Sequence, residues 1–180
     1  MRLDISKKIF IMTFLANLFT GCASTSQPPI ATVPKVELPK FMGDWYVIAA
    51  IPTAIETESF NAIENYQLNK DGTIATTFTF NKGSLDGKVK IYEPRGFVAE
   101  NSGNARWGMQ FVWPIKAEYL IAYLDESYTK TVIARNARDY VWIMSREANL
   151  SDNEYAMLVQ KVTEMGYNTS KLRKVPHKLK

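Results

Sequence analysis

The sequence contains one cysteine and one histidine among its 180 residues, and this scarcity excludes several kinds of protein. A lone cysteine has no partner for an internal disulfide. The body of the chain also offers nothing for thiol catalysis or for histidine-ligated haem. The histidine, His177, lies in a basic tail, where we expect it to be solvated. Because no phosphate-binding loop, nucleophile elbow or cluster of metal ligands occurs either, the sequence predicts no catalytic residue, metal site or cofactor.

The sequence also has little excess of one sign of charge, with 22 basic and 18 acidic residues. The net charge of +4 is too small, and the charges too evenly spread, to indicate nucleic acid as a partner. Several basic residues lie close to the C-terminus, between Lys171 and Lys180. They either hold the protein near anionic lipid or simply keep this end of the chain soluble, and the sequence leaves both interpretations open.

The N-terminus has the pattern of an exported protein. The apolar run from Ile9 to Phe19 follows a basic start and is too short to span a bilayer comfortably, so we interpret residues 1–21 as a signal peptide. It ends in Leu18-Phe19-Thr20-Gly21-Cys22, which resembles the lipobox of bacterial lipoproteins. The resemblance implies lipidation of Cys22 and, with Ala23 following, a place on the periplasmic side of the outer membrane. An ordinary signal peptide that happens to contain a cysteine is the alternative.

Three further segments follow the predicted signal peptide. Residues 22–38 are rich in serine, threonine and proline, a composition that does not pack, so we expect an extended tether. Residues 39–176 have enough apolar and aromatic content to form one domain with a buried core. Residues 177–180 are the tail.

The domain has the pattern of an all-β fold. Runs of β-branched and aromatic residues, separated by turn signals such as Asn69-Lys70-Asp71-Gly72, predict eight strands, from Phe41–Ile51 to Tyr140–Ser145. The fourth strand is interrupted at Pro94. Eight strands joined by short turns are typical of an up-and-down antiparallel barrel that closes on itself.

The period of the sequence changes after the eighth strand. Ser151 and Glu154 form a capping box, which is a signal for the start of a helix. The apolar residues that follow recur at helical spacing, and Gly166 is a natural end for the helix. We therefore expect one α-helix packed against the outside of the barrel, followed by a short strand around Lys171–Val175.

Three motifs resemble those of the lipocalin family, specifically its bacterial outer-membrane subgroup, with plant temperature-induced lipocalins and apolipoprotein D as relatives. They are Gly43-Asp44-Trp45 on the first strand, Leu124-Asp125 with Tyr128 before the seventh, and Asp139–Arg146 on the eighth. The resemblance implies that Trp45 closes one end of the barrel and that Arg146 lies across its indole as a cation–π partner. It also implies that Asp125 and Tyr128 shape a turn at the same end, and that these residues, with Gly43, have structural roles. The sequence departs from the family in the loop Ala50–Ile55, part of the rim, so the resemblance does not define a ligand preference.

Alternation along the strands predicts which side chains point into the barrel. With Trp45 inward, the same parity places Val47, Ala49 and Ile51 inside on the first strand. Glu64 points inward on the second strand, where we hypothesise that it meets a polar head group near the mouth; a bulge that turns it to solvent is the alternative. The other candidate ligand contacts are Phe78, Trp107, Met109, Tyr119, Ile121, Tyr123, Tyr140, Trp142 and Met144. Each of these side chains either contacts a ligand or fills the barrel as core.

The motifs and the apolar interior lead to one expected function and two alternatives. Such a cavity suits an acyl chain, and the resemblance points in the same direction, to fatty acids or lysophospholipids. We expect a lipid-anchored lipocalin that carries or stores such a lipid for maintenance of the cell envelope. A structural lipoprotein with a filled barrel and a lipocalin-fold enzyme are the alternatives. The sequence does not distinguish a monomer from a homodimer.

Overall fold

The computed structural model describes residues 27–178, so the predicted signal peptide and Cys22 lie outside the described part of the chain. Two α-helices, α1 (Leu38–Phe41) and α2 (Asp152–Glu164), flank the main strands in the sequence. The strands are β1 (Gly43–Ile51), β2 (Ser59–Leu68), β3 (Ile74–Lys82), β4 (Lys88–Tyr92), β5 (Arg95–Val98), β6 (Arg106–Val112), β7 (Ile115–Leu124), β8 (Lys130–Ala134), β9 (Val141–Ser145) and β10 (Arg173–Lys174). No helix within residues 27–178 is long and apolar enough to cross a membrane.

The strands form one closed antiparallel barrel. From β1 to β9 neighbouring strands pair in sequence order, except that β4 and β5 do not pair with each other, and pairing of β1 with β9 closes the sheet. Strands β4 and β5 both pair with β3, one on each side of the break at Pro94, so together they occupy a single place in the barrel. The barrel therefore has eight strand positions, which confirms the predicted architecture. Strand β10 forms two further residue pairs with β1.

The apolar side chains form two separate cores. One fills the inside of the barrel and includes Trp45, Trp107 and Met144. The other lies between the outer face of the barrel and helix α2, where Leu158 and Val162 are buried. The predicted capping box starts this helix: Ser151 Oγ accepts from the Glu154 amide, and the Glu154 carboxylate accepts from the Ser151 amide. The prediction of one helix packed outside the barrel is confirmed.

Two β-bulges reverse the side-chain parity predicted for the ends of two strands. In β1 the register shifts between Val47 and Ala49, so Ala50 enters the inner core, whereas Ala49 and Ile51 join the core beneath the helix. In β7 a shift after Ile121 turns Tyr123 to the outer side. The inward placement of Ala49, Ile51 and Tyr123 was therefore wrong, because one extra residue sends every later side chain to the opposite face.

Part of the predicted tether is folded against the barrel. Ile30 and Val36 are buried, the Val33 amide donates to the Ile121 carbonyl at 3.0 Å, and the Val36 amide donates to the Gly103 carbonyl at 2.7 Å. The expectation that residues up to 38 do not pack is wrong from Ile30 onward. The composition of this segment does not predict packing, but a few apolar residues are enough to hold it on the barrel when its backbone groups also form hydrogen bonds there.

His177 is half-buried and was wrongly expected to be solvated. Its Nε2 lies 2.8 Å from the Val47 carbonyl oxygen, and its ring meets the Tyr46 ring edge-on at a centroid distance of 5.5 Å. Burial lowers the pKa of the imidazole, although the hydrogen bond to Val47 opposes this shift. The histidine therefore fastens the end of the described chain to strand β1.

Candidate ligand cavity

One end of the barrel is closed by Trp45 and Arg146. The indole is fully buried, and its Nε1 donates to the Phe41 carbonyl at 2.8 Å. The Arg146 guanidinium carbon lies 3.9 Å from the centre of the indole ring, which is cation–π geometry. The guanidinium also donates to backbone carbonyls of β1 and of the α1 segment, namely those of Lys40, Phe41, Met42 and Asp44. This end of the barrel is held by one arginine that joins β9 to the start of β1.

The turn between β7 and β8 lies at the same closed end. The Asp125 carboxylate accepts from the amides of Thr129 and Lys130 at 2.6 and 2.8 Å, and from the hydroxyls of Ser127 and Thr129. Partial burial raises the pKa of Asp125, but these hydrogen bonds outweigh it, so the pKa lies below its ordinary value. Tyr128 adopts a positive φ of 58° in this turn, and its hydroxyl accepts from the Glu37 amide.

The other end of the barrel opens into a cavity of about 350 Å³. Six of the ten candidate ligand contacts line it: Glu64, Phe78, Met109, Tyr119, Tyr140 and Trp142. Three others, Trp107, Ile121 and Met144, belong to the packed inner core instead. Trp107, for example, meets the rings of Phe41 and Tyr66 at centroid distances of 5.5 and 5.6 Å. The tenth, Tyr123, is outside the barrel. The lower part of the barrel is therefore filled, and the upper part is a cup.

Glu64 lies deep in the barrel and not near its mouth. It is the cross-strand partner of Trp45, and its carboxylate accepts a hydrogen bond from the Tyr66 hydroxyl, which lies 2.6 Å from the Tyr119 hydroxyl. Burial raises the pKa of Glu64 to about 7, the Tyr66 hydrogen bond acts in the opposite direction, and the charge of Glu56 adds to the rise. The bottom of the cup therefore carries a carboxyl group whose charge changes near neutral pH.

The loop between β1 and β2 contributes residues that sequence reasoning missed. Glu56 is only 5% exposed and accepts from the Thr53 amide at 2.9 Å and from the Trp142 indole at 3.1 Å. On the other side, Glu118 accepts from the amide and side chain of Asn136, and Arg135 forms an ion pair with Asp139 at 3.1 Å. Three carboxyl groups and one guanidinium thus line the cavity.

Three of the cavity-lining residues carry a buried polar atom with no hydrogen-bond partner. They are the hydroxyls of Thr53 and Thr76 and the Nε of Arg135, and they are the complete set of such side-chain atoms within residues 27–178. A buried polar group without a partner is costly, and native proteins rarely leave one unsatisfied. The unmatched polar groups of this part of the chain therefore belong to residues in the wall of the cavity, where protein atoms cover them.

Some of the missed residues had a signal in the sequence and others had none. Thr76 shares the parity of Phe78, and Ala117 shares that of Tyr119, so alternation alone would have placed both inside. By contrast, Thr53, Ala54, Ile55 and Glu56 enter the cavity from an irregular loop, which has no periodicity to follow. Within the described residues no three histidine, cysteine or acidic side chains are grouped as they would be to hold a metal ion.

A family model described as a lipocalin-like domain matches residues 36–177. The chain belongs to this family. Temperature-induced lipocalin-1 of Arabidopsis thaliana is 30% identical over 161 residues, which cover 84% of this chain and 85% of the plant protein. The outer membrane lipoprotein Blc of Escherichia coli K12 is 26% identical over 159 residues, which cover 87% of this chain and 88% of the relative. The resemblance seen in the three motifs is confirmed.

Solved structures show the same fold at low identity. Insecticyanin from the tobacco hornworm Manduca sexta has a TM-score of 0.65 and 15% identity, with 82% of this lipocalin and 84% of that chain covered. The cockroach allergen Per a 4 has a TM-score of 0.62 and 16% identity, with 85% and 96% covered. These similarities establish the architecture of the barrel and say nothing further about its ligand.

Proposed function

We propose that this lipocalin binds one single-chain lipid, either a fatty acid or a lysophospholipid, and carries or stores it at the cell envelope. The observation that supports this proposal is a cup with mostly apolar walls (Phe78, Met109 and Trp142 among them) and a few charged side chains in its lining. Its volume of about 350 Å³ falls in the range of small-molecule sites. An acyl chain lies against the apolar walls, and a polar head group contacts the groups near the mouth.

The charges of the cavity favour a zwitterionic head group over a free carboxylate. Arg135 is the one cation in the lining of the cavity. Glu56 and Glu118, which also line the cavity, supply negative charge. A phosphate beside Arg135 and an amine beside a carboxylate would satisfy both signs, whereas a fatty-acid carboxylate would be repelled by the glutamates. We therefore expect a lysophospholipid with an amine-bearing head group to bind more tightly than a fatty acid with the same chain.

The location in the envelope rests on the N-terminal motif and on the relatives. Residues 18–22 resemble a lipobox, and four bacterial relatives carry the name outer membrane lipoprotein Blc. We propose that Cys22 carries the lipid anchor and that the barrel lies on the periplasmic side of the outer membrane. Mass spectrometry of the protein purified from membranes tests this directly, because a diacylated or triacylated Cys22 at the mature N-terminus has a characteristic mass.

Native mass spectrometry, with the purified mature protein titrated with lysophosphatidylethanolamine and with a fatty acid of equal chain length, tests the ligand. We expect saturation at one lipid per protein. Ala117→Trp fills the cavity and should weaken binding at least about tenfold. Val89→Trp, at an exposed position on β4, is the matched control and should bind normally. A protein that takes up neither lipid would refute the proposed ligand and favour a structural role, and turnover of the lipid would favour an enzyme.

A further inference from the structure

The open rim of the barrel carries an exposed apolar patch. It consists of Phe111, Val112, Trp113 and Ile115 on the β6–β7 hairpin and Ile55 on the β1–β2 loop; Phe111 and Ile55 also line the cavity mouth. Trp113, at the tip of the hairpin, is 82% exposed. Patches of this kind on otherwise polar proteins mark interaction sites, and tryptophan is favoured where protein meets the lipid–water interface. The rim therefore has the composition of a surface that contacts lipid.

The described chain also begins at this rim. The Pro28 carbonyl accepts from the Arg138 guanidinium at 2.6 Å, and the Ile30 amide donates to the Asn136 side chain at 2.7 Å. Arg138 and Asn136 belong to the β8–β9 loop, which lies at the open end with the cavity-lining residues Arg135 and Tyr140. From there the chain runs down the barrel, past Ile121, to the closed end at Gly103.

The length of chain between Cys22 and this point limits how the barrel can be oriented. Five residue steps separate Cys22 from Gln27, so the span is at most about 18 Å at about 3.6 Å per residue. A barrel built from strands such as the ten-residue β2, tilted by about 40°, is about 25 Å high. Even fully extended, this segment is shorter than the barrel, so it holds the lipid on Cys22 near the open rim and away from the closed end.

The closed end also lacks a surface suited to lipid. Its β2–β3 hairpin exposes Lys70 and Asp71, and the loops beside it expose Asn101 and Glu126. Burying these polar and charged side chains in the interface would cost free energy, and among the described residues Leu68, at the end of β2, is the exposed large hydrophobic side chain at this end. Both the position of the chain start and the distribution of apolar residues thus distinguish the two ends.

We propose that the open rim docks on the bilayer, so that the cavity mouth opens directly onto the lipid surface. This inference rests on the proposed lipidation of Cys22, which keeps the rim close to the membrane. The apolar side chains around Trp113 enter the interface as a shallow anchor. A lysophospholipid then passes between bilayer and cup without crossing water with its acyl chain exposed.

A single reporter on the rim tests this orientation. The anchored Cys22 has no free thiol, so Trp113→Cys introduces one reactive site for an environment-sensitive fluorophore. The matched control is Lys70→Cys, exposed at the closed end. Both lipidated variants are placed on vesicles of phosphatidylethanolamine and phosphatidylglycerol, some of which contain lipids carrying a nitroxide quencher. We expect a blue shift and nitroxide quenching for W113C, and for K70C quenching only by aqueous iodide.

The outcomes separate the rim from the anchor. Protein that fails to float with vesicles refutes both the anchor and the docked rim. Protein that floats while the W113C fluorophore stays accessible to iodide refutes rim docking and leaves the anchor standing. A blue shift of W113C that requires no vesicles and grows with protein concentration shows that a second copy covers the patch, and this result also overturns the proposal.

Discussion

Replacing Glu64 with glutamine should change how the stability of this lipocalin depends on pH. Burial raises the pKa of Glu64 from 4.5 to about 7 in the folded protein. A raised folded-state pKa means that the uncharged carboxyl is favoured, so this contribution to stability is fully present below pH 4.5 and is lost as pH rises to about 7. At about 1.4 kcal/mol per pH unit, the difference corresponds to about 3 kcal/mol of unfolding free energy.

Glu64→Gln has nearly the same shape but does not titrate. We therefore expect the stability of E64Q relative to the original protein to rise by about 3 kcal/mol between about pH 4 and about pH 8. Urea denaturation at several pH values measures this difference, and the titration of all other groups cancels. Glu100→Gln is the matched control, because it makes the same chemical change at an exposed position outside the barrel interior. A constant difference for E64Q would refute the interpretation of Glu64 as a carboxyl held uncharged by burial.

The same substitution has a consequence for ligand binding. An acyl chain that fills the cup removes the remaining water near Glu64, which further disfavours the carboxylate. Lipid affinity of the original protein should therefore fall as pH rises above about 7, whereas the affinity of E64Q should stay constant. Equal pH profiles for the two proteins would show that the bound chain does not reach Glu64.

Two further predictions concern stability. Arg146→Lys should lower the unfolding free energy by about 2 kcal/mol, because an ammonium cannot reach all the carbonyls that the guanidinium bonds and stacks less well on Trp45. Thermal denaturation measures it, with Arg106→Lys at an exposed position as the control, and an unchanged midpoint would contradict a structural role for the arginine. Ser151→Ala should lower the unfolding free energy by about 1 kcal/mol, because the helix loses its N-terminal cap. Ser151→Asp should keep most of the stability, because a carboxylate also caps a helix. Equal losses of stability in both variants would exclude the cap as the cause.

The architecture was predictable because its signals are local. Alternation, turn residues and the break at Pro94 are read within a few residues of each strand, and the Ser151–Glu154 box lies within a single helical turn. The inner core was predicted where alternation continued undisturbed, as at Phe78 and Met109. The prediction of inward-facing side chains failed for Ala49, Ile51 and Tyr123, because the sequence contains no clear signal for a β-bulge.

The cavity was only partly predictable, because its polar groups come from different parts of the chain. Glu56 reaches Trp142 across 86 positions in sequence, and Glu64 lies among tyrosines of β2 and β7. Neither the depth of Glu64 nor the packing of Ile30 follows from neighbouring residues. The depth of Glu64 and the packing of Ile30 both depend on the neighbours that these residues meet only when the barrel closes.

The amino-acid sequence by itself determined the strands, the helix and the family motifs, because each depends on side-chain patterns of short range. The tertiary structure alone decided which side chains face the cup, where Glu64 sits in it, and at which end the chain enters. The physical reason is that barrel closure pairs β1 with β9, almost 100 residues later, and this pairing sets depth and direction for every residue between them. Local patterns identify the parts, and closure of the sheet sets their positions in the site.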